Sequence, residues 1–560
     1  GLFQLGGGGM DEFIALWISH DGSTGTSGGS GLYSLTNYAA ELFGTESGEA
    51  NANTAIKQLF HEGTVILSFP NVCTTGDART VSQLWSVVQR MTSQMMVPLI
   101  QLLIDSLMEE NAERVKFHAL AVIPQVSQCR PSIYKKLKAE LLGNTVSFAK
   151  NQEIISELQR TYDCFGLTCA DIGAYKQDQV PQCEDFPINY PMAEYTPTTQ
   201  VHSHAKIDLD ILQVRILTSL QSYSFAKYLY SHGRNSPLPR KSSEDAYELR
   251  SLEKFALTPE REAANPFYND FVEYFDDIHY GHTAVINALQ GKGKYGAASP
   301  EARTEVVANT CAYQIMYMYA LAEMADAIQD CQSKDALDNV GGVHSWDEVA
   351  AFLIGSLEGP TEGGSADTDD GQLMWNLANK RAFQFQTLNE GGYSTTNSKL
   401  EDLLFAGGGE LDAYNCASLK KTIAGIQHIL LIPVIQSTLR YAVENEKLEV
   451  SNLDKTVAEG ETFALSVIPV IKSYDANAAQ VIVENMVVDA GVKPVRDGAQ
   501  VVADAFYEAL DEFGISCLFV GASSQVDACR KEGGFSASVQ LKPSGYILSA
   551  VLIAACVIVL

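Results

Sequence analysis

A set of landmarks recurs in the same order in two parts of this chain, and such a duplication limits the fold more than any other feature of the sequence. Val97-Pro98-Leu99-Ile100-Gln101 matches Ile432-Pro433-Val434-Ile435-Gln436. The stretch 119–124 (ALAVIP) matches 464–469 (ALSVIP), and 165–169 (FGLTC) matches 513–517 (FGISC). Each copy then reaches a further cysteine, Cys183 or Cys529, and Cys73 or Cys416 precedes its first match. Two related lobes are expected, differing in loop length.

The copies are unequal. A helical section over about 205–340 precedes the shared part of the second copy, whereas the first begins almost at its shared part. The expected organisation is therefore a partial N-terminal helical lobe (1–183), a proline-rich linker (184–204) and a complete helical lobe (205–533). A short stalk (534–545) and an apolar segment (546–560) follow. The fold class is mainly α. Apolar residues recur at three- and four-residue steps over 207–230, 305–331, 419–448 and 501–513. Pro98 and Pro433 should start or kink helices. A short β piece is expected near Val65–Phe69 (VILSF), and the prolines of 183–200 predict extended chain.

Residues 546–560 read YILSAVLIAACVIVL. Fifteen residues make about 22 Å of helix, short of a bilayer core. The segment reads either as a transmembrane helix whose far end lies outside this sequence or as a lipid-anchor signal. Cys556 lies within it, and the other ten of the eleven cysteines form an even set, as a disulfide framework requires. An oxidising compartment and a cell-surface location follow. The net charge of −29 repels nucleic acid and attracts cations.

Several pattern matches carry no chemistry. Gly25–Gly29 (GTSGG) fits a nucleophile elbow without a preceding strand, and Gly291–Gly296 (GKGKYG) fits a dinucleotide loop after a helix. The acidic loop at 367–371 puts Ala366 where a calcium loop needs its first ligand. No nucleophile–base pair is evident, so an enzyme is not expected.

The informative cluster is Tyr274–His282 (YFDDIHYGH). Phenolates, carboxylates and imidazole suit a highly charged oxophilic cation such as Fe³⁺. On a helix Asp276 and Tyr280 would share a face, as would Tyr313 and Tyr317. The same residues also read as core tyrosines beside solvated acids. Lys380-Arg381 and Arg440-Tyr441 stand out in an acidic chain, since arginine clamps planar oxyanions such as carbonate. The first copy has Tyr38-Ala39 and Asp105-Ser106 at the matching places.

Taken in order, 274–291 (YFDDIHYGHTAVINALQG), 313–331 (YQIMYMYALAEMADAIQDC), 346–359 (WDEVAAFLIGSLEG), 376–385 (NLANKRAFQF) and 432–441 (IPVIQSTLRY) resemble the algal Fe-assimilating or phytotransferrin family. These are iron-starvation-induced surface proteins of diatoms and their relatives. The resemblance runs through most of 205–530 and more weakly over 10–185. It implies a membrane-anchored protein that binds ferric iron with synergistic carbonate and delivers it by endocytosis. It also implies Asp277, Tyr280, Tyr441 and His279 as metal ligands, with Arg381, Arg440 and Lys380 holding the anion. The incomplete first lobe implies one iron site, within 205–530, and leaves that lobe for protein partners. The competing expectation is a structural or adhesive surface subunit that binds no metal.

Overall fold

The computed structural model describes residues 7–18, 31–68, 78–143, 145–176, 183, 191–238, 248–259, 263–334, 341–358 and 370–532. The apolar segment 546–560, Cys73 and the GTSGG loop lie outside them. Among the described residues the structure is helical, with isolated β-bridges and no strand. The chain forms two compact units. One takes the described residues within Gly1–Thr258, Leu337–Gly364 and Asp370–Leu373, and the other those within Pro259–Ala336 and Met374–Leu560. These are not the boundaries expected at 184–204 and 205–533. Residues 205–258 and 341–358 pack in the first unit, so the first repeat copy is not left as half a fold.

The duplication is visible as hydrogen bonds repeated side chain for side chain. In the first unit Gln101 Nε2 donates to Thr45 Oγ1 (3.0 Å) and to the Ile172 carbonyl (2.8 Å). In the second, Gln436 Nε2 donates to Thr387 Oγ1 (3.2 Å) and to the Val520 carbonyl (2.9 Å). A glycine follows each carbonyl at positive φ, Gly173 at 76° and Gly521 at 73°. A Cβ there would sit 2.3 Å from the Phe43 or Phe385 carbonyl oxygen. The Asn53 amide bridges the Tyr33 carbonyl and Asn37 Oδ1, and that of Asn397 bridges the Trp375 carbonyl and Asn379 Oδ1. Disulfides Cys169–Cys183 and Cys517–Cys529 also correspond.

Two further disulfides, Cys129–Cys164 and Cys331–Cys416, lie one in each unit. Among the described residues eight cysteines are paired, and Cys311 is buried and enters none of these four bonds. The long periodic stretches break where the backbone demands it. Residues 207–230 become Ile207–Ser219 and Tyr223–His232, parted by Gln221 at φ 57°. Pro433 stands in the first turn of Leu431–Asn445, whereas Pro98 remains inside the 31-residue helix Ala78–Met108. Val65–Leu67 ends the helix Asn51–Leu67 and is not β. Gln83–Met108 and Cys416–Asn445 are apolar and long enough to span a bilayer, yet 67% and 78% of their most apolar windows are buried within the fold. They are core helices.

The proline-rich stretch is not simple extended chain. Met192 and Tyr195 form a tight bridge, and His202–Ala205 is a helical turn. Asp347, inside the helix Gly342–Ile354, accepts from the Tyr195 hydroxyl (2.6 Å) and from the backbone amides of Thr198 (2.9 Å) and Thr199 (2.7 Å). Five polar hydrogens on one carboxylate hold this segment in place, counting the two threonine hydroxyls.

Nearby Asp208 and Asp210 are fully buried at the start of Ile207–Ser219. Burial raises their carboxyls to about 6 and about 7, against hydrogen bonds from Ser356 and Asn235 that pull the other way. A raised folded-state pKa contributes stability that is complete below the unfolded value and is lost as pH rises through the folded one. Between pH 5 and 8, Asp210→Asn should therefore flatten the part of the melting-temperature profile that falls with pH; an unchanged profile would contradict this. Gly521→Ala forces a Cβ into the Phe385 carbonyl and should cost at least about 2 kcal/mol in denaturant unfolding.

Candidate anion and metal centre

In the second unit Arg381, on the helix Met374–Phe385, is only 6% exposed. Its Nε donates to Ser437 Oγ (2.7 Å) and its Nη1 to Gln384 Oε1 (2.8 Å), both neutral acceptors. Among the described residues no carboxylate forms an ion pair with it. Its guanidinium lies over the rings of Tyr441 (5.8 Å) and Phe463 (5.6 Å). Arg440 lies over the same Tyr441 ring (5.6 Å), and its Nε is buried without a hydrogen-bond acceptor. Burial lowers the Arg381 pKa from its usual value, and the Arg440 charge adds to the effect. Two guanidinium groups flanking one phenol, one of them buried and, among the described residues, in no salt bridge, make a place that an anion stabilises, although Glu459 lies near enough to act on Arg381.

Four helical elements build this centre, the helix of Arg381 among them. Leu431–Asn445 carries Arg440 and Tyr441, and Lys455–Leu465 carries Glu459, Gly460 and Phe463. The two helices pack so closely that a Cβ on Gly460 would lie 2.9 Å from both Tyr441 Cβ and Asn445 Nδ2. The Tyr441 ring stacks on Phe463 (5.8 Å, 9°), and Tyr313 packs on the same Phe463 (5.3 Å). Tyr313 lies in a π-helical turn, Cys311–Met316, that interrupts the helix running from Pro300 to Ser333. Such turns shift the register of the side chains around them. Tyr317 falls beyond the turn and buries its hydroxyl without a partner, so the expected shared face with Tyr313 is broken. Burial, followed by Glu459, raises the Tyr441 phenol well above its usual range, while the two arginines pull it down.

The other expected ligands sit elsewhere in this unit. Asp277 and Tyr280 line a cavity of ≈ 330 Å³ together with Thr283, Lys294, Tyr295 and Glu461. Neither Tyr441 nor the arginines line it. Glu459 and Glu461 are two residues apart, about 200° around one helix, so that helix turns one carboxylate toward each place. Asp277 is engaged locally: its carboxylate accepts from the His279 amide (2.8 Å) and the Thr283 hydroxyl (2.6 Å), bracing the start of Tyr280–Gln290. Asp276 does not share a helical face with Tyr280, because it is the left-handed cap (φ 50°) of Pro266–Phe275. The Tyr280 ring packs among Tyr268, Phe271 and Phe275. His279 precedes that helix with its Nδ1 buried and without a partner. Glu461 pairs with Lys294 (2.5 Å); burial raises its carboxyl, against the lysine. Lys380 is half-buried, about 100° around its helix from Arg381.

The repeat supplies a control. Asp105 and Ser106 stand where the second copy has Arg440 and Tyr441, and they are satisfied internally. Asp105 accepts from Arg114 (2.6 Å) and from the Tyr175 hydroxyl (3.1 Å), and Ser106 bonds His118 Nδ1 (2.8 Å). The same scaffold thus closes on itself in one copy and leaves a buried cation in the other.

Sequence reasoning missed Glu459, Glu461, Phe463 and Tyr295, because nothing in their spacing ties them to Tyr441 or Asp277. It also missed His204, His344 and Glu348 in the first unit, whose ligand atoms lie within 4.8 Å of one another. His344 and Glu348 are one helical turn apart, a legible signal, but His204 is remote in sequence.

Residues 185–451 match the sequence model of a family described as Fea1, low iron-inducible periplasmic protein. The chain matches no curated protein and no solved structure. The family match links the chain to iron assimilation, and the four disulfides among the described residues belong to an oxidising compartment. The matched span includes Asp277, Tyr280, Arg381, Arg440 and Tyr441, whereas Glu459 and Glu461 lie beyond it.

A buried cation that forms no salt bridge among the described residues is a cost to the fold. Arg381→Met keeps the bulk and removes the charge, so without ligand it should raise stability, on the order of 1 kcal/mol. Thermal unfolding of the ligand-free protein measures this. A marked loss would mean that the bonds to Ser437 and Gln384 already make the arginine a net structural asset.

Proposed function

We propose that this protein is a carrier, not a catalyst, that captures ferric iron outside the cell together with a carbonate ion and hands it to an uptake route through acidifying vesicles. The observation that carries the proposal is Arg381, buried beside Tyr441 and Arg440 and, among the described residues, in no salt bridge with a carboxylate. The iron-linked family match supports the choice of metal.

On this reading carbonate lies between the two guanidinium groups and neutralises charge that the fold leaves uncompensated. Iron then takes oxygen donors from the anion, from Tyr441 and, at the same cluster, from Tyr313 and Glu459. Tyr441 hydrogen-bonds Glu459, and its phenol is held protonated by burial. Only a strongly polarising cation would drive that proton off, which selects Fe³⁺ over softer or less charged ions. Acidification protonates carbonate, removes the bridging anion and returns the phenol proton, so iron is released as pH falls. Asp277, His279 and Tyr280 then belong to the neighbouring cavity and the helix start rather than to the ferric centre. Residues 546–560 would tether the protein to the membrane it serves.

Titrating the purified protein with ferric iron, with and without bicarbonate, tests this through the phenolate-to-iron charge-transfer band. One equivalent per chain should develop the band, only with bicarbonate present, and lowering the pH should bleach it. Tyr441→Phe and Arg381→Ala should abolish it, and Tyr280→Phe should leave it intact. A band that survives Tyr441→Phe and is lost in Tyr280→Phe would move the iron to the Asp277 cavity. A protein that binds no iron under any of these conditions would leave a structural surface subunit as the better account.

A further inference from the structure

The first unit holds a second constellation that the ferric reading does not use. His344 and Glu348 lie one turn apart on Gly342–Ile354, and the turn His202–Ala205 delivers His204, 4% exposed, to the same point. Glu348 Oε1 is 2.7 Å from His204 Nε2 and 3.2 Å from His344 Nε2, and the two imidazole centroids are 5.4 Å apart.

The surrounding hydrogen bonds orient both imidazole rings. The Thr199 hydroxyl gives its one hydrogen to Asp347 Oδ2 (2.8 Å). The Nδ1 of His344, 3.0 Å from that hydroxyl, must therefore donate to it. A neutral His344 then presents a lone pair at Nε2, facing the Glu348 carboxylate. His204 Nε2, which lies 2.7 Å from Glu348 Oε1, is also touched by Arg250 Nη2, while the His204 Nδ1 is buried without a hydrogen-bond partner. Two imidazole nitrogens and a carboxylate oxygen thus converge within 4.8 Å, and a cation that binds there takes the place of the hydrogen between His204 and Glu348. A carboxylate holding a hydroxyl that orients a ligating imidazole is the outer-shell arrangement of metal-binding histidines.

We propose that His204, His344 and Glu348 form a metal site that takes one borderline divalent transition cation through two imidazole nitrogens and one carboxylate oxygen. Two histidines and one carboxylate suit Fe²⁺, Co²⁺ or Zn²⁺, whereas the oxygen-rich tyrosine centre suits Fe³⁺. Binding exchanges the Arg250 contact at His204 for a metal bond. Arg250 keeps its bond to the Pro237 carbonyl (2.6 Å) and remains beside the site as a donor to an anionic co-ligand. Thr199 and Asp347 are positioning residues: they act on the metal through His344 alone. This site stands whether or not the ferric centre does, because it shares no residue with it.

Chelator-stripped full-chain protein titrated with Co²⁺ gives a direct test through visible ligand-field absorption. One equivalent should bind with nitrogen and oxygen coordination, and Zn²⁺ should displace it. Glu348→Gln and His344→Gln should remove the Co²⁺ spectrum while leaving the metal-free melting temperature close to wild type. Thr199→Val should weaken Co²⁺ affinity about 10–100-fold without changing the spectrum of the saturated protein. Tyr441→Phe should leave the Co²⁺ titration untouched, which separates this site from the phenolate band. Absence of stoichiometric Co²⁺ and Zn²⁺ binding in the wild type, or a Co²⁺ spectrum unchanged in both Glu348→Gln and His344→Gln, would overturn the proposal.

Discussion

A single buried amide holds each copy of the duplicated fold in register. Gln101 and Gln436 each reach from the middle of a core helix to a threonine hydroxyl and to the carbonyl just before a left-handed glycine. That carbonyl belongs to the segment entering or leaving a disulfide loop, and the threonine follows the helix that begins the copy. One side chain thus joins the beginning, middle and end of about 150 residues. Buried amides satisfied by neutral partners hold such geometry strongly, because losing one partner leaves a desolvated group behind. Leu32–Phe43 and Met374–Phe385 are fixed by these clamps, and the second of them carries Arg381.

On that common frame the two copies diverge in charge. The first copy places Ala39, Asp105 and Ser106 at the positions that carry Arg381, Arg440 and Tyr441 in the second. Its acid meets Arg114 and the Tyr175 hydroxyl. The second copy buries a cation against two aromatic rings, and among the described residues its hydrogen-bond acceptors are neutral. Gly460 lets the Glu459 helix come close enough to seat Tyr441 between the arginines and Phe463. The divergence lies in a handful of side chains, so a duplicated scaffold need not carry a duplicated function.

Much of this is legible in the sequence alone. Helical periodicity and the ordered landmarks give the mainly α fold and the two copies, because a repeated core demands a repeated apolar pattern. Gln101 and Gln436 fall within the strongest match, where their clamps require identical residues. Arg381, Arg440 and Tyr441 stand out as cations and a phenol in an acidic chain, and the fold brings them together. What stayed hidden depends on tertiary placement. The residues 205–258 pack with the first unit rather than with the sequence that follows them. Asp277 looks like a ligand by residue type yet braces a helix start. The π turn at Cys311–Met316 breaks the face shared by Tyr313 and Tyr317, and simple helical spacing does not register it. His204 meets His344 across 140 residues of sequence, a distance at which no local pattern operates.

The central claim is that ferric iron binds beside Tyr441 on an anion held by Arg381 and Arg440. An iron-edge anomalous difference map of crystals loaded with ferric iron and bicarbonate addresses it most directly. The account expects one peak bonded to the Tyr441 phenolate, with a planar anion between it and the two guanidinium groups. A peak in the cavity of Asp277 and Tyr280, or an iron beside Tyr441 with no anion on the arginines, would contradict it.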